Sequence, residues 1–120
     1  MATIINMGEG SIPPVLLASV TSVPTSSTAV SGTENWKKYA AIYFTIKMHW
    51  SNKNDVGNFT GLILTKSVVN GDKYFVLRQT SPVAGSLVSF FCFFYDDQIK
   101  ISKEANGYDV ISVDIYGVNF

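Results

Sequence analysis

The stretch AIYFTIKMHW, residues 41–50, alternates apolar and polar positions with a period of two. Ile42, Phe44, Ile46, Met48 and Trp50 fall on one face; Tyr43, Thr45, Lys47 and His49 fall on the other. Strand side chains point alternately to opposite faces, so the pattern predicts a strand whose first set faces a core. FTGLILTK, KYFVLRQT, SLVSFFCFFY, QIKISKE and YDVISVDIYGVNF continue the series. Ile99 and Ile101 are expected to face in; Ile111, Val113 and Ile115 are expected to share one face, and Ser112, Asp114 and Tyr116 the other. Upstream, VLLASVTSV is rich in β-branched residues and ends at Pro24. Residues 19–33 hold nine serines and threonines, a linker-like composition, but Val20, Val23 and Val30 punctuate them. Two short strands with a loop near Pro24 are the expectation.

Turn signals separate these runs. Residues 51–58 form a polar loop, and Asn70-Gly71-Asp72 is expected to make a tight turn between two strands. Ser81-Pro82, Gly85, Asp96-Asp97 and Asn106-Gly107 mark the others. The count is about eight strands with turns every 8–12 residues, and no helical period appears. The prediction is an all-β chain: an antiparallel β-sandwich or jelly roll over residues 15–120.

One strand breaks the alternation. In VSFFCFFY, residues 88–95, both sets are apolar: Val88, Phe90, Cys92 and Phe94 on one face, with Phe91, Phe93 and Tyr95 beside Ser89 on the other. The set containing Cys92 is the more core-like. Phe91, Phe93 and Tyr95 are then left outside, and such an apolar patch calls for a cover. A second copy of the chain is the expected cover, with the N-terminal arm as the internal competitor. That arm is residues 1–14. Gly8, Gly10, Pro13 and Pro14 deny it regular structure, yet Ile4, Ile5 and Met7 are too apolar for a solvated tail, so they join the expected interface.

Composition sharpens this picture. The chain has 120 residues, suited to one domain, and is 47% hydrophobic and 13% aromatic. Only 15% of residues are charged, and nine basic residues cancel nine acidic ones. No basic field invites nucleic acid. The N-terminus lacks the basic region of a signal peptide, and no run of 18 apolar residues predicts a membrane span. The expectation is a chain made in a cytoplasm, either staying there or assembling into something later released. The single cysteine, Cys92, lies inside the apolar run and reads as a buried thiol.

Candidate chemistry is sparse. His49 is the only histidine and sits on a polar strand face, without a partner for nucleophilic or metal chemistry. Most carboxylates lie at turns, where Asp is favoured for backbone reasons. No phosphate-binding loop or calcium-loop spacing is present. No enzyme activity, cofactor or metal is expected. A small glycan hydrolase is the remotest of the readings. The one candidate ligand site is Trp50 with Asn52, Asn54, Asp55 and Asn58, an aromatic platform ringed by polar groups of the kind sugars favour; a core-capping Trp50 is the alternative.

The order of features is similar to a known group. VLLASVTS, TAVSGTENWKKYAAIYFTIKM and FFYDDQIKISKEANGYDVISVDIYGVNF resemble the C-terminal β-sandwich domains of bacteriophage fibre and appendage proteins. Asn35, Trp36, Lys38 and Tyr39 match a segment that leads into a long alternating strand, and Ile115, Tyr116, Gly117 and Val118 match a terminal segment. The resemblance covers residues 15–120. It implies a virion protein assembled in the host cytoplasm, commonly a homotrimer, bound to other virion proteins and often recognising a host-surface glycan or protein. Fibre proteins usually carry a long shaft before this domain. Here residues 1–14 precede it, which points to a head-decoration or short appendage protein. A soluble lectin-like sandwich module is the alternative.

Overall fold

The computed structural model describes residues 12–50, 56–71, 73–80, 87–104 and 108–120. Its strands are β1 (Val15–Val20), β2 (Thr28–Ala29), β3 (Ala41–Trp50), β4 (Val56–Leu64), β5 (Tyr74–Thr80), β6 (Leu87–Tyr95), β7 (Gln98–Lys103) and β8 (Tyr108–Val118). A 3₁₀ turn (Trp36–Lys38) precedes β3, and a short helix α1 (Thr65–Val69) follows β4. The strands form two four-stranded antiparallel sheets, β1-β8-β3-β4 and β2-β7-β6-β5, packed face to face. Of the N-terminal arm, residues 1–11, including Ile4, Ile5 and Met7, lie outside the described residues; Ile12 is exposed.

The period-two pattern of β3 produces the core. Ile42, Phe44, Ile46 and Met48 are all buried, as expected. From the other sheet, Val88, Phe90, Cys92, Phe94, Ile99 and Ile101 meet them, and Val113 and Ile115 complete the layer from β8. Phe44 sits at the centre: its ring centroid lies 5.7 Å from that of Phe90 and 6.4 Å from that of Phe94. Tilted and edge-on aromatic contacts of this kind add about 0.5–1.5 kcal/mol to plain burial.

The Ser/Thr-rich stretch is held by its punctuating residues. Val23 and Val30 are buried in the core. Thr33, fully buried, donates its hydroxyl to the Val30 carbonyl (2.7 Å) and accepts the Ile99 amide (2.9 Å). Its hydroxyl thus fastens the stretch to β7, and the linker-like composition does not make a linker.

One local expectation is corrected. Asn70-Gly71-Asp72 does not close a hairpin. β4 and β5 belong to different sheets, and the chain crosses between them through α1. Val68 is buried in the core and Thr65 is anchored to the Tyr39 carbonyl, so the segment is drawn in as one helical turn. Asn70 caps it, its amide reaching the carbonyl of Lys66. Five residues are too few to display a helical period. The pairing of β8 with β3 is irregular next to Ser112. Lys47 pairs with Ser112 but Met48 with Val110, so Ile111 is left over at an irregularity. The side chain of Ile111 lies outside the described part.

Two glycines permit close approaches. A Cβ on Gly61 would come 2.6 Å from Leu77, so this glycine lets β5 lie against β4 where the sandwich closes. A Cβ on Gly117 would come 2.5 Å from the ring of Tyr39.

Phe44→Ala should cost about 3–5 kcal/mol in urea denaturation, the range for a fully buried Phe. Gly117→Ala should cost about 1–3 kcal/mol, because the Tyr39 ring is met near its base and must be displaced. A loss below about 1 kcal/mol for Phe44→Ala would show that the intersheet core is wrongly assigned.

Candidate interaction surface

The outward face of β6 carries Ser89, Phe91, Phe93 and Tyr95, and cross-strand pairing decides their surroundings. Phe93 pairs with Tyr74 on one side and Lys100 on the other; Phe91 pairs with Val76 and Ser102. Tyr74 stacks on Phe93 at 4.6 Å between centroids and lies nearly parallel to Phe91 at 6.2 Å. Phe91 and Phe93 are therefore half-buried, while Tyr74 and Tyr95 stay about half exposed. The Lys100 ammonium sits 5.0 Å from the Tyr95 ring centroid, a cation–π contact. The sequence reading placed the two sets of VSFFCFFY on the right faces. It missed Tyr74, whose role follows only from the β5–β6 register.

The edge of this surface is tied to the 3₁₀ turn. Trp36 is buried, its indole N–H donates to the Tyr95 carbonyl at 2.6 Å, and its ring meets Phe94 edge-on at 5.0 Å. Beside it, Lys37 forms an ion pair with Asp96 at 2.9 Å. The Lys37 hydrogen bond and charge, with Lys73 further off, hold the Asp96 carboxyl below its usual range. A shallow pocket of about 250 Å³ opens here, lined by Lys73, Tyr74, Phe93, Phe94, Tyr95 and Asp96.

The other sheet also presents a mixed outer face. Leu16, Tyr116, Tyr43 and Leu62 form one cross-strand row over β1, β8, β3 and β4. Leu16 and Leu62 are 54% and 47% exposed, and the two tyrosine rings lie 6.1 Å apart. Alternation alone marked Tyr43 and Tyr116 as polar positions. Their joining into an apolar band is non-local.

The expected sugar site is largely beyond view. Trp50 pairs through its backbone with Tyr108, but its side chain and those of His49, Asn52, Asn54 and Asp55 lie outside the described residues. Asn58 is described, exposed on β4 opposite Lys47. Among the described residues no group of three or more His, Cys, Asp or Glu is placed to hold a metal. Cys92 is buried in the core, and burial pushes its thiol up from 9.0 to about 12. Compared with family models, curated proteins and solved structures, the chain finds no match in any of the three.

The buried thiol has a consequence for stability. The unfolded chain releases this proton near pH 9, whereas the folded chain keeps it to about 12. The contribution is whole below pH 9 and is lost as pH rises across that window, by up to about 1.4 kcal/mol per pH unit. Urea midpoints measured from pH 9 upward should fall more steeply for the wild type than for Cys92→Ala. Parallel slopes would show that Cys92 ionises as readily in the fold as outside it.

Proposed function

We propose that this chain is a bacteriophage virion structural protein, a head-decoration or short appendage piece that works by assembling with copies of itself. The observation that carries this reading is the aromatic outer face of β5 and β6. Tyr74, Phe91, Phe93 and Tyr95 present a continuous aromatic surface that a lone sandwich leaves half in water. Aromatic residues with Arg and a polar rim are the usual make-up of a protein interface. Here Arg78, Lys100 and Asp96 stand around the aromatic centre. The proposed assembly is a trimer, a symmetry taken from the resemblance to fibre and appendage domains. The two motifs of that resemblance meet in the fold, Tyr39 of the first lying on Gly117 of the second. The reading assigns no reaction to the chain.

Light scattering coupled to size exclusion tests it. The wild type should run as an oligomer at micromolar concentration. Phe93→Glu should give a chain with the same circular dichroism that runs as a monomer, because taking a carboxylate out of water into an apolar interface costs more than pairing with Lys100 opposite returns. A monomeric wild type, or a Phe93→Glu variant that keeps its oligomeric state, would overturn the assembly reading. The gene should lie beside capsid or tail genes; a neighbourhood of metabolic genes would remove the virion half.

A further inference from the structure

The outer face of the sheet β1-β8-β3-β4 changes character from row to row. The row Leu16, Tyr116, Tyr43, Leu62 is apolar and aromatic. The next row is Ser19, Asp114, Thr45 and Thr60, and the one after it Ser112, Lys47 and Asn58. Over these polar rows, with Tyr116 from the aromatic row, lies a cleft of about 320 Å³, lined also by Thr45, Lys47, Asn58, Thr60 and Asp114. That is the small end of the range for ligand pockets, about 300–1,000 Å³, and suits a single ring.

The donors and acceptors of this cleft are not spent on one another. Among the described residues, Thr45, Lys47, Asn58, Thr60 and Asp114 make no side-chain hydrogen bond or ion pair. Thr45 and Asp114 are nonetheless half-buried. The ligand class follows by elimination. A lone carboxylate beside a lysine is a poor cage for a divalent cation. Carboxylate and lysine together leave the cleft with no net charge to draw an anion. The row of hydroxyls offers nothing to a purely apolar group. What fits is a neutral ligand with an apolar face and several hydroxyls.

We propose that this cleft binds a pyranose ring of a neutral carbohydrate. Tyr116 lies against the C–H face of the sugar, and Asp114, Thr45, Thr60 and Asn58 bond to its hydroxyls. Asp114 accepts hydrogen bonds, the threonines donate or accept, and the Asn58 amide does both. The Tyr116 hydroxyl stays protonated through the neutral range, since partial burial, then Asp114 and Tyr43, all push its ionisation up. It remains a donor at the rim of the site. The inference stands apart from the assembly reading, because the cleft is on the opposite sheet from Phe91 and Phe93.

Saturation-transfer NMR with the methyl pyranosides of glucose, galactose, mannose and N-acetylglucosamine tests it, since the method reads both monomers and assemblies. At least one sugar should receive saturation on its ring C–H protons, with a dissociation constant in the millimolar range or tighter. Asp114→Ala should weaken that sugar about tenfold, the scale of losing a hydrogen bond to a charged group. Thr60→Val, nearly isosteric and on the surface, should weaken it severalfold with unchanged circular dichroism. Phe93→Glu should leave it unaltered. No saturation of any of the four sugars would overturn the proposal, and so would binding indifferent to both Asp114→Ala and Thr60→Val. A monomeric wild type that still binds sugar removes the assembly reading alone. An oligomer that binds none removes the cleft alone.

Discussion

Both sheets are fastened to each other through residues 35–40, and the sandwich depends on that short segment. Trp36 reaches one sheet: its indole N–H is given to the Tyr95 carbonyl and its ring packs on Phe94. Three residues later Tyr39 reaches the other, its ring lying over Gly117 of β8. The backbone just after Tyr39 is pinned from two further directions. The Ala40 amide donates to the Asn119 side chain at 3.1 Å, and the Ala40 carbonyl accepts the Thr65 amide at 2.9 Å. A buried indole N–H without its acceptor would cost about 1–3 kcal/mol, so the Trp36–Tyr95 bond also sets where the turn can sit. The end of β6, the end of β8 and the start of α1 are therefore located by one stretch of chain.

That arrangement makes sense of the surplus of apolar residues. The interior is filled by Phe44, Phe90 and Phe94 with the aliphatic residues around them. Phe91 and Phe93 have no room inside and must take the outer side of β6. Tyr74 covers part of them, and the remainder is the surface on which assembly is proposed. The other sheet divides its outer face differently: a tyrosine band beside polar rows, and over those rows lies the cleft in which sugar binding is proposed.

How much of this was legible in the sequence depended on how local the signal was. Ile42, Phe44, Ile46 and Met48 announced their burial by period alone, and nothing in the tertiary structure overrode it. The two faces of VSFFCFFY could be told apart because Ser89 sits on one and Cys92 on the other, although Ser89 is itself buried. The Asn-Gly pair at 70–71 misled because a turn signal says that the chain bends, not which sheet it joins next. Trp36 was seen as part of a motif but not as an anchor, since its partner Tyr95 lies 59 residues away. The band of Tyr43 and Tyr116 and the cleft beside it need four strands in register, information that no single stretch contains. Asn58 was drawn into the candidate sugar site with Trp50; the fold sets it in the cleft with Thr60 and Asp114.

The pairing of Val15 with Gly117 at the start of β1 bears on how the molecule carries load. The strands are antiparallel, so residue 14 and residue 119 lie at the same corner of the sandwich. Tension applied between those two ends would open the β1–β8 ladder one bond at a time, as a zipper opens, and little force is needed for that. Tension entering at residue 14 and leaving through contacts on the β5–β6 face must instead pass through the intersheet core, where many contacts resist at once. The two directions of pull thus load different bonds: the β1–β8 ladder one bond at a time in the first, the packed intersheet core in the second.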